Sequence, residues 1–470
     1  MPRCASCAST IVCLIAIGCT DSTRPPDSPP RIDAVNVVAN PNMEISALVR
    51  FQGTGDSVRV RYRVSAQDQD SLTPSVPVSA AQEDTIALLG LMPVTVYELR
   101  LVVYGGGSFS LDSLTSDPLT FTTGPLPADL PAYTASGITP LDGYIVFSAM
   151  PFGIIIDGTG RVVWYKRFPG TGPSLNFMAQ PTGTLVGRLS TEDPADEDPF
   201  VELDPAGFER RQLRCANNRP LRFHDLLLSG DGSYWIMCDE TRTMDLSAVG
   251  GDANARVTGT TLQHVDSAGA LLFEWTPFDH FQITDVDPSL YQSGAEVNWT
   301  HGNSFDFDTD GNILVAFRSL DEITKINSQS GAVMWRMGGL RNQFTFEGSP
   351  DAGFLRQHNV RVGGPGRFII LDNFGLSSES RYERYLVNAD ARTATLEQSY
   401  ASTPPVMTLI GGSVQAVGPD LYLASFGTEG RVELFDAAGV KLWHIEGDPG
   451  YVFRAQRILS LYAPVPVLTR

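Results

Sequence analysis

The stretch "IIIDGTGRVVWYKRF", residues 154–168, decides the fold. Three isoleucines lead to Asp157, Gly160 follows, and a second apolar run carries Trp164. An Asp and a Gly set between two β-prone runs read as strand, tight turn, strand. The unit returns as "VELDPAGFERRQL" (201–213), "LQHVDSAGALLFEW" (262–275), "TKINSQSGAVMWRM" (324–337), "YLVNADARTATLEQ" (385–398) and "ELFDAAGVKLWHIEG" (433–447). Its leading residues, Asp157, Asp204, Asp266, Asn327, Asn388 and Asp436, recur at intervals of 47 to 62 residues. The fifth copy lacks the glycine. This period is too long for a small solenoid repeat and suits propeller blades of four strands plus loops. An all-β, six-bladed β-propeller is expected over residues 126–470. Each D-x-x-G turn should join the two outer strands of a blade, with Trp164, Trp335 and Trp443 packing between blades.

Composition agrees with an all-β class. The chain has 470 residues, 44 glycines and 32 prolines, with 42% hydrophobic residues in short runs. Helical periodicity is scarce, and the length exceeds one ordinary domain. Residues 31–125 carry strands such as "SVRVRYRVSA" and "LMPVTVYELRLVVY". The latter resembles the later strands of fibronectin type III domains, so a fibronectin III-like β-sandwich is expected ahead of the propeller. Nothing in it suggests catalysis, and a spacer or docking role is expected.

The first residues, "MPRCASCASTIVCLIAIGCTDS", read as an export signal. Arg3 precedes an apolar run too short to cross a bilayer. The Ala16–Cys19 stretch resembles a bacterial lipobox. A lipoprotein signal peptide at 1–18, lipidation of Cys19 and a Pro-rich tether at 19–30 are therefore expected. The protein would then be exported and lipid-anchored to the bacterial cell envelope, and would meet membrane only through that anchor. Of six cysteines, Cys4, Cys7 and Cys13 leave with the signal. Cys215 and Cys238 remain and should pair in an oxidising compartment. The formal net charge of -19 disfavours nucleic acid as a partner. An anionic substrate would bind only where local cations focus a positive field.

Three of the six histidines share a place in the repeat. His224, His301 and His358 each open a hairpin whose turn carries a glycine: Gly232, Gly311 or Gly366. The first strands of propeller blades line one channel in one direction, so these imidazoles should converge at one mouth. Arg318 and Asn303, in "NWTHGNSFDFDTDGNILVAFRSL" (298–320), should reach the same end. His264, His280 and His444 show no such placement and read as structural or surface residues.

Two chemistries remain open for this set. Three imidazoles can hold zinc. Against that, Arg318 would repel a divalent cation, and Asp225 is the one carboxylate near the set, so no metal is expected. The alternative is transfer of an anionic group, with arginine gripping sulfuryl or phosphoryl oxygens and a neutral imidazole attacking. No Walker-type or G-x-G-x-x-G loop is present, which disfavours a nucleotide donor, and no cofactor is expected.

The segments W-x-H-x-N-S (299–304), R-S-L-D-x-I-x-K-I (318–326) and Q-H (357–358) resemble the bacterial arylsulfotransferases (aryl-sulfate sulfotransferases). The resemblance implies a small β-sandwich before a six-bladed propeller, export, and no nucleotide sulfate donor. It implies sulfuryl transfer from a phenolic sulfate ester to a phenolic acceptor through a sulfohistidine. It makes His358 the nucleophile. His301, Asn303 and Arg318 would hold the sulfate oxygens, and His224 would be acid or base toward the phenolic oxygen. Two other readings stay open: a non-catalytic propeller lipoprotein that binds a polymer or protein, and a metal-dependent hydrolase.

Overall fold

The outer turns all close by the same local chemistry. The leading Asp or Asn turns a side-chain oxygen back onto nearby amide N–H groups. Asp157 accepts from Thr159 and Arg161, Asp266 from Ala268 and Ala270, and Asp436 from Ala438 and Val440. This self-bonding is why Asp and Asn lead tight turns. Gly160, Gly207, Gly269, Gly331 and Gly439 then take φ between +74 and +88°. In the fifth copy Arg392 occupies the left-handed position instead, at φ +56°, with its guanidinium 5.4 Å from the Phe344 ring centre.

The computed structural model describes residues 27–79, 82–137, 142–169, 175–189, 199–350, 353–375, 379–447 and 450–467. The expected signal peptide 1–18, Cys19 and the tether up to residue 26 lie outside the described residues. Among the described residues the protein is all-β, its strands joined by turns and by helical segments of three to six residues.

Contacts divide the chain into two units. The first holds Val49–Ile86 and Tyr97–Phe121, with residues up to Val37; the second holds Val38–Leu48, Ala87–Val96 and Thr122–Arg470. In the first, Ser57–Val64 pairs antiparallel with Val96–Tyr104. Alternation sets the faces of this pair. Val58, Val60, Leu99, Leu101 and Val103 are fully or almost fully buried, while Arg63 lies on the other face beside Glu98.

The second unit contains six sheets among the described residues, each with at least four strands, antiparallel except where Glu296–Asn298 and Thr345–Glu347 add parallel to two of them. The outer turns join the third and fourth strand of every sheet, as the repeat predicts. The innermost strands are Leu175–Ala179, Leu221–Leu228, Gly302–Phe307, His358–Val362, Ser413–Gly418 and Ala455–Ile458. From Leu221–Leu228 onward each packs on the next, and Ala455–Ile458 packs on Leu175–Ala179. Asn176 then donates to the carbonyls of Phe223 and His224 at 2.8 and 2.9 Å, which returns the series to its start. The two ends of the unit interlock. Ala455–Ile458 pairs with Tyr144–Ala149, and Tyr133–Gly137 pairs with Lys441–Gly447, so neither edge is left bare.

Tryptophans staple neighbouring sheets. Trp164 Nε1 donates to Pro205 O at 2.8 Å, and Trp443 Nε1 donates to Gly158 O at 3.0 Å. Trp275, which the repeat reading passed over, donates to Gly331 O at 3.1 Å. Each bond ties a fourth strand to the outer turn of the next sheet. Trp335 packs edge-on against Phe344, with ring centres 5.2 Å apart. Cys215 and Cys238 form a disulfide with their Cα atoms 6.1 Å apart. It closes a loop of 23 residues at the sheet that carries His224; a loop of that size is worth about 3 kcal/mol.

Candidate active site

His301 and Arg318 are brought together by the hairpin register. Gly302 pairs with Phe317, and Phe307 pairs with Ile313 around the Asp308–Gly311 turn. The residues flanking this ladder therefore meet at its open end, where Arg318 N–H donates to His301 O at 3.0 Å. His301 sits at φ +46°, a conformation costly for a residue with a Cβ. Asn298 Nδ2 donates to His301 Nδ1 at 2.8 Å, which leaves the proton of this neutral ring on Nε2.

His224, on the innermost strand of the preceding sheet, lies with its ring centre 5.1 Å from that of His301, edge to face. Among the described residues its Nδ1 is buried without a partner. Phe453 lies 5.8 Å from His224 and 5.1 Å from Phe223, and Tyr451 follows at 6.1 Å from Phe453. An aromatic wall thus flanks the imidazoles.

His358 begins the innermost strand of the next sheet and is 2% exposed. Its Nδ1 is 2.7 Å from Asn373 Oδ1, and the Gly411 N–H donates to Nε2 at 3.3 Å. Gly411 can be nothing larger. Its φ is +69°, and a Cβ there would meet the Tyr451 hydroxyl at 2.1 Å.

Arg318 is half-buried. Among the described residues its Nε has no partner, and the side chain's one hydrogen bond, to Leu409 O, is long at 3.4 Å. Burial, and then repulsion from Arg356, lower its pKa. A guanidinium so poorly paired is a ready donor site for an anion. All three imidazoles are held neutral. Burial lowers His224 and His301 well below the usual range, with Arg222 next in each case. Burial pushes His358 down to about 4, partly offset by Asn373, with Arg318 lowering it further. His224 and His301 would both feel the charge of a protonated His358, which puts the three in one electrostatic neighbourhood.

Asn303 and Asp225 are each tied into the fold. One of the two amide N–H groups of Asn303 is already engaged. Its Nδ2 donates to Gln357 O at 2.7 Å and its Oδ1 accepts from Ser304, so it holds the backbone just before His358. Asp225 is not a spare carboxylate beside the imidazoles. Arg361 and Arg454 bind it at 2.9 and 2.8 Å, and the Phe305 N–H donates to it at 3.1 Å. Burial alone would raise its pKa, but the two guanidiniums hold it low. Among the described residues no three His, Cys, Asp or Glu side chains are grouped to hold a metal ion. His264 stacks on Trp235, His280 stacks on Trp275, and His444 pairs with Glu446, all apart from this site.

In sequence, residues 214–448 match the family model for arylsulfotransferase (ASST). The chain belongs to the arylsulfotransferase family. The match takes in His224, His301, Asn303, Arg318, His358 and Asn373, whereas Tyr451 and Phe453 lie beyond it. No curated protein matches the chain. Among solved structures the chain is similar to a protein of unknown function from Bacteroides caccae. The two share 10% identity over 67% of this chain and 98% of that one, at a TM-score of 0.45. It is also similar to the Myceliophteria thermophila Cps50 (Swd1) beta-propeller domain (9%, 68% and 90%, 0.38). A third is a catalytically inactive H270A virginiamycin B lyase from Staphylococcus aureus (9%, 68% and 88%, 0.34).

The candidate site of this arylsulfotransferase-family chain includes residues that the sequence did not single out. Asn373 directly follows Arg367–Asp372, the strand that returns from the His358 hairpin. The logic that found Arg318 at the end of a returning strand would have reached it. Asn298 lies three residues before His301. Tyr451 and Phe453 carry no such signal, because they precede a strand contributed from the chain's far end.

The low imidazole pKa values set a pH dependence. Between about 4 and the ordinary histidine value near 6.5, the unfolded chain binds protons at these rings that the folded protein does not. Stability is then expected to rise with pH through that window and to be lost as pH falls through it. Denaturant unfolding from pH 4 to 7 measures this; the slope should shrink when His358 becomes Gln.

Proposed function

We propose that this protein is an aryl-sulfate sulfotransferase. It moves a sulfuryl group from a phenolic sulfate ester to a phenolic acceptor through a sulfohistidine at His358, without a nucleotide donor. The single observation that carries the reading is His358: a buried, neutral imidazole next to an under-paired guanidinium, within a family-matched segment. A neutral imidazole is nucleophilic, and Arg318 supplies the positive charge that a sulfate ester needs. In this reading His301 donates to a sulfuryl oxygen and His224 lies toward the phenolic oxygen. Asn303 positions the His358 backbone, and Phe223, Tyr451 and Phe453 flank the aryl ring.

The six sheets are read as the blades of a propeller and residues 31–125 as a fibronectin III-like sandwich. The closed series of innermost strands supports the first, and the alternating faces of Ser57–Val64 support the second. Export with a lipid anchor at Cys19 belongs to the same proposal. The Cys215–Cys238 disulfide supports an oxidising compartment.

Intact-mass measurement after mixing the protein with a chromogenic phenol sulfate tests the function. A sulfuryl adduct is expected that maps to His358 and is discharged by added phenol without any nucleotide. Absence of adduct and of transfer would favour a propeller that only binds a polymer or protein. Loss of activity with chelator, with release of free sulfate, would favour the metal-dependent hydrolase.

A further inference from the structure

We propose that Asn373 sets the tautomer of His358, and so decides which ring nitrogen can take the sulfuryl group; this rests on the function proposed above. The argument starts from the amide. Asn373 Nδ2 donates to two backbone carbonyls, Thr408 O and Gly411 O, each at 3.0 Å. Both N–H bonds of the amide are thereby used, and the end turned to His358 is the carbonyl oxygen. A carbonyl oxygen accepts only. The 2.7 Å contact is therefore a bond from His358 Nδ1–H to Asn373 Oδ1, reinforced by Arg356 O at 3.1 Å on the same nitrogen. A neutral ring carries one such proton. Nε2 is left with its lone pair, and the Gly411 N–H donates to it at 3.3 Å, as it can only to an unprotonated nitrogen.

This arrangement matters in the transfer step. The Nε2 lone pair forms the N–S bond while the S–O bond to the aryl group breaks, and its electron pair leaves on the phenolate oxygen. The ring goes from neutral to an N-sulfo imidazolium. The incoming ester and the departing phenolate each carry one negative charge, so charge balances. Transfer to the acceptor is the reverse, with the acceptor as phenolate. As positive charge grows on the ring, Nδ1–H becomes a stronger donor, so the bond to Asn373 Oδ1 tightens in the transition state more than in the resting enzyme. Asn373 touches no substrate atom; it is a positioning residue. An amide suits a two-step transfer better than a carboxylate would. It steadies the cationic ring without a full opposing charge that would trap the intermediate. His301 carries its proton on Nε2 because Asn298 donates to Nδ1. The two asparagines thus hold one imidazole as an acceptor and the other as a donor.

The test uses the full chain labelled with ¹⁵N at histidine, compared with Asn373→Asp and Asn373→Leu. Ring-nitrogen shifts should show His358, assigned by its loss in His358→Gln, as Nδ1–H with a bare Nε2. In Asn373→Asp the acid limb of kcat/KM should move up from near pH 4 by one pH or more, and the sulfuryl adduct should persist longer. The ionisable groups around the ring, Arg318, His301 and His224, are unchanged in that variant, so the shift reports position 373. Asn373→Leu should lose kcat by about 10- to 100-fold with KM little changed, with a melting curve establishing that it folds. The proposal is overturned if wild-type His358 carries its proton on Nε2, or if Asn373→Asp keeps the wild-type profile and adduct lifetime. Absence of any adduct in the wild type would sink the proposed function alone, since the ring-nitrogen spectrum decides the tautomer without turnover.

Discussion

His358→Ala is expected to abolish sulfuryl transfer, with a loss of about 10⁴-fold or more in kcat/KM, the scale seen when a covalent nucleophile is removed. No neighbour can stand in. His301 presents Nε2–H and not a lone pair, and the Nδ1 of that ring is occupied by Asn298. His224 has an unpartnered Nδ1, but it sits on a different innermost strand and lacks the asparagine that orients His358. The fold should survive. His358 opens its strand, and the neighbouring Val360 keeps its own inter-sheet bond to Ser304 Oγ at 2.8 Å. The measurement is a transfer assay beside a thermal melt and an intact-mass spectrum after exposure to aryl sulfate. A folded variant that still transfers at the wild-type rate, or still gains a sulfuryl adduct, would remove His358 from the mechanism.

Arg318→Ala is expected to lower kcat/KM by about 10²- to 10³-fold, as removal of a strong transition-state donor does. Arg318→Lys should fall between the two, because it keeps the charge but loses the planar fork. What separates a functional arginine from a structural one is the accompanying stability. Arg318 has an unpartnered Nε and one long bond, so the folded protein gains little from it and bears the cost of burying it. Removal should leave the melting temperature unchanged or raised. Lost activity with unchanged or higher stability supports an anion-binding role. Lost activity that merely follows a lower melting temperature would make Arg318 a structural residue.

Much of the architecture was legible because it rests on local rules. The Asp, Asn and Gly positions of the outer turns announce themselves through side-chain-to-backbone bonds and left-handed φ values that few residues accept. Their period counted six units even though Arg392 replaced the glycine in one. His224, His301 and His358 were legible for the same reason: each opens a hairpin, and hairpins repeat.

Other features depend on which sheets lie side by side. Asp225 meets Arg361 and Arg454 across more than a hundred residues, and no spacing rule foretells that a lone acidic side chain will be neutralised there. Asn303 has the sequence position of an anion ligand, and only the structure shows that one of its amide N–H groups is used on Gln357 O of the next sheet. Tyr451 and Phe453 enter the site because the chain's last strand returns to the first sheet.

The outer turns, the hairpins and the matching repeat positions of three histidines were determined by the sequence alone, because each depends on residues a few positions apart. The protonation and tautomer of those rings, the poor pairing of Arg318 and the aromatic wall were decided only by tertiary structure. They arise from burial and from hydrogen bonds between separate sheets, and both exist only once the sheets have closed on one another.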